Sequence, residues 1–265
     1  MTAATRKYGS IFTAQLANGL TYPLDLLGRA LSIVVFLWVF LHLWRSVYAT
    51  DGSQAIAGLT LADTLWYLML AETIVLSKPR ISADIARSVR DGSVAYQLAR
   101  PYNFVLYHFS VGLADAIVRA AMTALVGGAL VWALVGPPPP ASGWPLAAIA
   151  VLLGWLLDFS MSALIGLSAF VTEDTSAFDW IYSKAVLVLG GVLLPLDFLP
   201  EGLGSVARAL PFAYTVWAPA RVFVSPDPAR FLALAGAQLA WLAVLALLLA
   251  AAWRWAIRRV AINGG

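Results

Sequence analysis

Few residues of this sequence have the types and spacing of a catalytic site or a metal site. The chain has no cysteine and only two histidines, His42 and His108, which argues against disulfides, cysteine nucleophiles and a histidine-rich metal centre. It also has no phosphate-binding glycine loop and no HExxH zinc pair. An intramembrane hydrolase needs a serine or paired acids in register with a base, and the nearest match is Asp158 with Ser160 and Ser162. We expect no catalytic residue, metal ion or cofactor in this chain.

Four charged residues lie inside long apolar runs: Glu72, Asp115, Arg119 and Asp158. An ionised side chain in the bilayer costs several kcal/mol, so these side chains should face protein or water. Asp115 and Arg119 are one helical turn apart and can pair close to the membrane surface. Glu72 and Asp158 are the candidates for substrate passage or gating.

A charged stretch, residues 77–101, separates two of these apolar runs. Its basic residues outnumber its acidic ones, and basic loops of this length stay in the cytosol. The charged residues of the stretch are Lys78, Arg80, Asp84, Arg87, Arg90, Asp91 and Arg100. The sequence therefore predicts that residues 77–101 face the cytosol.

The same stretch has the pattern of a short amphipathic helix. Ile81, Ile85 and Val89 recur every four residues and form one narrow apolar stripe. Gly92 is suited to end the helix and Ser93 to begin another. From the pattern alone, this element is a lid, an anchor or a knob offered to a soluble partner.

The elements that hold these residues are membrane helices. The chain is 61% hydrophobic and 12% charged, with a mean hydropathy of +0.82, and an ordinary soluble domain has about a quarter of its residues charged. Its net charge of +3 comes mostly from basic residues that flank apolar runs, which is typical of membrane topology rather than of nucleic-acid binding. The composition predicts an all-α integral membrane protein.

The apolar runs divide the chain, a single transmembrane domain over residues 1–265, into six spans. A mildly amphipathic helix at 5–19 is expected on the cytosolic surface, and the first residues lack the apolar core and cleavage site expected of a removable signal. The predicted spans are 23–44, 61–76, 104–135, 144–171, 181–194 and 231–253, with the charged segment 78–101 between the second and third.

Residues 195–228 form two apolar pieces that are each too short to cross a bilayer. Pro195, Pro200, Pro211 and Pro219 interrupt them. This pattern predicts helices that dip into the outer leaflet and return. The first half of the chain has no such stretch, which disfavours an inverted-repeat transporter.

The distribution of basic residues gives the orientation. Eleven Lys and Arg residues fall on the side of 78–101 and four on the other side. Because Lys and Arg accumulate in cytosolic loops, both termini are expected in the cytoplasm.

The chain resembles the membrane subunits of ABC-2 type exporters, and within them the six-span permeases described as viologen or drug exporter-like. One matching motif has the form I-x-R-x(4)-G-x(5)-L-x-R-P, and a proline-marked motif precedes the last span. The first motif is carried by Ile85, Arg87, Gly92, Leu98, Arg100 and Pro101, with Asp91 beside Gly92, and the second by Leu194-Pro195, Leu199-Pro200 and Leu210-Pro211-Phe212.

The resemblance implies that residues 82–92 are a coupling helix that docks on a separate ATP-binding cassette subunit. It also implies a second permease chain, identical or homologous, a place in the cell inner membrane, and ATP and Mg²⁺ held by the partner subunit. The residues expected to couple are Ile81, Asp84, Ile85, Arg87, Val89, Arg90, Asp91 and Gly92.

The leading hypothesis is thus a permease that exports a hydrophobic or amphiphilic substrate when its partner hydrolyses ATP. The alternative is a self-sufficient secondary transporter or channel in which Glu72 and Asp158 bind a coupling ion. A membrane-embedded enzyme that uses Asp158 or Ser160 is a third possibility.

Overall fold

The computed structural model describes residues 3–19, 21, 23–100, 102–172 and 174–263. Helix accounts for 83% of the structure, and no strand occurs in these ranges. The helices described are α1 Ala3–Gly19, α2 Pro23–Asp51, α3 Leu61–Ser77, α4 Ile81–Arg90, α5 Ser93–Leu98, α6 Phe104–Val135, α7 Trp144–Leu167, α8 Ala169–Thr172, α9 Ser176–Leu189, α10 Glu201–Ala209, α11 Trp217–Val224 and α12 Pro228–Asn263.

Four helical stretches of the described chain are long and apolar enough to cross a membrane. They are Leu24–Asp51, Phe104–Val135, Ala141–Thr172 and Pro228–Arg258. The first lies within α2 and runs past the predicted range 23–44. The second is α6, whose bounds coincide with the apolar run 104–135.

The other two helices predicted to span are shorter. α3 has 17 residues and α9 has 14. α9 begins and ends earlier in the chain than the predicted range 181–194. It ends at Leu189 because Gly190 and Gly191 follow, and Gly191 has a φ of 75°. The count of six spans stays a prediction.

α3 lies at the centre of the helix assembly although it is short. Its N-terminus carries a capping box in which Thr60 and Asp63 each accept a backbone N–H of the other. It packs against α2, α6 and α11, and Leu65, Tyr67 and Leu68 are almost completely buried. A helix enclosed in this way is held by its neighbours rather than by its own length.

The proline-rich stretch 195–228 folds into short helices. Pro195 precedes the 3-10 turn Leu196–Phe198, Pro200 precedes α10, and Pro211 begins the 3-10 turn Pro211–Tyr214. Proline suits these positions because the first residues of a helix need no N–H partner. α11 is almost entirely buried, whereas α10 leaves Leu203 and Val206 exposed.

Candidate functional site

The segment 78–101 contains α4 and α5, and α4 is fixed to the helices behind it. Ile81 and Ile85 are only 3% and 2% exposed. Each lies against a glycine: a Cβ on Gly112 of α6 would come within 2.8 Å of Ile81, and one on Gly166 of α7 within 2.9 Å of Ile85. The apolar stripe therefore packs inside its own chain and leaves these isoleucines out of reach of a partner.

The sequence indicates the stripe but not what covers it. The two glycines are 31 and 81 residues away from the isoleucines they meet, and periodicity carries no information on such contacts. A glycine within a long apolar helix was the available signal, because helices that approach closely need small residues. Val89, the third member of the stripe, is half-buried and packs against the same apolar cluster.

The opposite side of α4 is charged and open. The side chain of Arg87 is 66% exposed and lies 3.5 Å from the carboxylate of Asp84, and Arg90 is exposed as well. Burial raises the pKa of Asp84, whereas the nearby Arg87 opposes that effect. This side therefore offers arginines that a partner could bind.

A tight turn joins α4 to α5. Gly92 has a φ of 74°, which glycine adopts without strain. Asp91 accepts a hydrogen bond from the backbone N–H of Ser93 at 2.9 Å, and hydrogen bonds from Ser93 lower the pKa of that carboxyl. Asp91 and Gly92 are exposed and set the angle between the two helices.

Sequence reasoning missed the surface of α5. Tyr96 is 67% exposed, and the Arg100 guanidinium lies 4.6 Å from the centre of its ring, within the range of a cation–π contact. Arg100 and Gly92 are members of the motif described above, whereas Pro101 lies outside the described residues. Arg87, Arg90, Tyr96 and Arg100 are called the basic surface below.

Asp158 has partners on two other helices. It is 4% exposed, and its Oδ1 lies 2.5 Å from Lys78 Nζ and accepts a hydrogen bond from the Tyr182 hydroxyl at 2.5 Å. Ser160 donates to the carbonyl of Leu156, and no hydrogen bond joins it to Asp158. The arrangement ties α7 to α9 and to the end of α3, and it gives Ser160 no activating base.

Asp115 and Arg119 belong to a charge cluster that includes α1 and α2. Their predicted pair is present at 3.7 Å, and Arg119 also lies 3.8 Å from Asp25. Gln15 of α1 donates a hydrogen bond of 2.8 Å to Asp115, and Arg29 pairs with Asp25 at 2.9 Å. These contacts give both residues a structural role in holding α1 against α6.

Glu72 differs from the other acids of the apolar helices. It is half-buried on α3, and no cation or hydrogen-bond donor of the described chain partners it. Glu72 therefore remains a candidate for substrate passage or gating.

These features define a class: an all-helical, multi-pass membrane protein with an anchored basic segment between two of its helices. In the described residues, no group of His, Cys, Asp and Glu side chains could hold a metal ion.

Comparison with known families narrows the class. The model of the ABC-2 family transporter protein matches residues 30–264, so the chain belongs to this family. Its members are membrane transport components that generally work with an ATP-binding subunit. A search of the curated proteins gave no match.

Proposed function

We propose that this chain is the permease subunit of an ATP-driven exporter, and that the basic surface docks on a separate ATP-binding subunit. One observation carries the proposal: α4 is held by Gly112 and Gly166 on one side and exposes arginines on the other. A helix packed in this way moves together with α6 and α7 when a partner displaces it, because packed interiors do not deform continuously.

The same proposal includes a six-span topology. α3 and α9 are the two short crossings, and α3 covers about 26 Å at 1.5 Å per residue. The excess of Lys and Arg supports a cytosolic position for both termini and for 78–101 in the inner membrane. α1 then lies on the cytosolic surface, and Pro195, Pro200 and Pro211 shape an outer re-entrant segment.

The sequence resemblance supports the remaining parts of the assembly. Two permease chains, identical or homologous, enclose the pathway, and the partner subunits hold ATP and Mg²⁺. The substrate is hydrophobic or amphiphilic, as expected for a viologen or drug exporter-like permease.

Charge reversal on the basic surface tests the docking. The double variant Arg87→Glu/Arg90→Glu should lose most copurification with the ATP-binding subunit. A partner surface that is complementary to two arginines is acidic, and it would repel the two glutamates. Stimulation of ATP hydrolysis by substrate should fall at least about tenfold, which corresponds to about 1.4 kcal/mol. The measurement is pull-down and ATPase activity of the reconstituted complex.

Arg45→Glu is the matched control, since Arg45 is an exposed arginine near the C-terminal end of α2 and is not part of the basic surface. It should leave pull-down and ATPase stimulation unchanged. Full stimulation of the double variant would contradict the docking.

The alternative of a self-sufficient transporter or channel has one observation in its favour, which is the unpartnered carboxylate of Glu72. Asp158 supports it less, because Lys78 and Tyr182 already occupy its Oδ1. Flux driven by an ion gradient through the purified chain alone in liposomes would favour this alternative and overturn the dependence on ATP.

A further inference from the structure

A cleft of about 400 Å³ lies between the N-terminus of α4 and the helices α3, α7 and α9. This volume is in the range of small-molecule sites. The polar residues of its wall that matter below are Lys78, Arg80, Ser82, Asp158, Ser162, Asp179, Tyr182 and Ser183. None of the coupling residues on the exposed side of α4 takes part, so the cleft is separate from the basic surface.

The N-terminus of α4 opens into the cleft without a cap. Arg80 precedes the helix, and no side chain accepts a hydrogen bond from the backbone N–H groups of its first turn. Ile81, Ser82 and Ala83 of this turn line the cleft. The first N–H groups of a helix lack partners within the helix and carry a partial positive charge, which favours an anion.

Ser162 is an independent indication of a ligand. It is only 8% exposed, it lines the cleft, and its hydroxyl has no hydrogen bond within the described residues. Ser160, two residues earlier and equally buried, donates to the carbonyl of Leu156 at 2.8 Å. The Ser162 oxygen is not itself closed off from the cleft, so this unpaired hydroxyl is available to donate to an acceptor that enters the cleft.

Among the charged residues of the cleft, Arg80 is a cation without an acidic partner. Arg80 has no carboxylate within ion-pair distance in the described chain, although it is exposed at the mouth. Each of the two carboxylates of the wall has one oxygen engaged. Asp158 pairs with Lys78 and accepts from Tyr182, and Asp179 accepts from Ser82 at 2.8 Å and from Thr175 at 3.4 Å.

An apolar groove continues from the cleft along α3 and α9. It shares Val75, Lys78 and Ser183 with the cleft, and it extends over Val186, Leu187 and Val192 with a volume of about 80 Å³. A molecule with a charged head and an apolar chain would place the head beside Arg80 and Ser162 and the chain along this groove.

We propose that this cleft binds an amphiphile whose head is a phosphate-type anion. Arg80, Lys78, Ser162 and the first N–H groups of α4 donate to the phosphate oxygens, as charge-assisted hydrogen bonds do at other anion sites. The occupant lies between α4 and α9, and we infer that it is the transported substrate. This role as substrate rests on the proposed export function, whereas binding in the cleft does not.

The test uses the permease purified alone in a neutral detergent, and calorimetric titration with three probes. Dihexanoyl phosphatidic acid should bind, and dihexanoyl phosphatidylcholine should bind at least about tenfold more weakly, because its choline masks the phosphate charge. Inorganic phosphate separates the two sources of the anion. If it binds as tightly as the phosphatidic acid, the anion site stands and the role of the apolar groove is overturned.

Two variants with matched controls locate the binding. Arg80→Gln should weaken the phosphatidic acid about tenfold or more, and Ser162→Ala about threefold to tenfold. The controls Arg45→Gln and Ser160→Ala should leave the affinity within about twofold. Equal affinity of the wild type and Arg80→Gln, or equal affinity for the two dihexanoyl lipids, would overturn the proposal. Because no ATP-binding subunit is present, this result is independent of the docking test.

Discussion

At the scale of single residues, the acids of the apolar helices separate by their partners. Asp158 is held by Lys78 and Tyr182, and Asp115 by Arg119 and Gln15. Glu72 has no such partner in the described chain. Helical spacing predicts the partner of Asp115, because Arg119 is one turn away. It does not separate Asp158 from Glu72, because the partners of Asp158 are distant in the sequence.

Removal of Lys78 should expose the cost of the buried Asp158 carboxylate. The Asp158 side chain is 6% exposed, and loss of one partner of a buried pair costs about 3–5 kcal/mol. Lys78→Met should therefore lower the thermal unfolding midpoint of the purified protein by several degrees.

The double variant Lys78→Met/Asp158→Asn is the control for this effect, because it removes both charges together. It should recover most of the loss, as neutral replacements of a buried pair often do. If the double variant is as unstable as Lys78→Met, the ion pair is not the source of the stability.

At the scale of elements, helix bounds could be predicted where strong signals stand at both ends. α6 begins after Asn103, whose side chain accepts a hydrogen bond from the N–H of Leu106, and it ends at Gly136 before four prolines. α9 lacks such signals. Its start follows an acidic loop, and it ends before Gly190 and Gly191, whereas the apolar run of the predicted span continues to Leu194.

The position of α4 could not be predicted in the same way, because it depends on two glycines of other helices. Gly166→Ala would place a Cβ 2.9 Å from the Cβ of Ile85, and neither atom can rotate away. We expect a loss of about 1–3 kcal/mol, as for other overpacked sites, together with faster hydrogen exchange in α4.

Gly128→Ala is the matched control for that substitution. Its Cβ would meet only the ring of Trp66 at 3.8 Å, an ordinary contact. Since alanine is the better helix former, Gly128→Ala should leave stability unchanged or slightly raised. Unaltered exchange of α4 in Gly166→Ala would show that the contact does not hold the helix.

At the scale of the whole molecule, the short helices α3 and α9 decide the topology. Four long helices alone would place the loop before α3 and the segment after it on one side of the membrane. If α3 crosses, these two regions lie on opposite sides. The same reasoning applies to the two ends of α9. Hydropathy does not settle α3, because protein neighbours replace lipid around much of it. α9 has only 14 residues, fewer than a membrane-spanning helix usually needs.

The absence of cysteine from the chain makes this topology measurable with single substitutions. Gln54→Cys and Ala95→Cys report on the two ends of α3, and Ala177→Cys and Glu201→Cys on those of α9; all four positions are exposed. With six crossings, a membrane-impermeant maleimide should label Gln54→Cys and Glu201→Cys in intact cells. The other two should react only after permeabilisation, because the excess of Lys and Arg keeps their side in the cytosol. Equal labelling of both members of a pair would remove that crossing, and with it the proposed placement of the basic surface and the cleft on the side opposite residues 195–228.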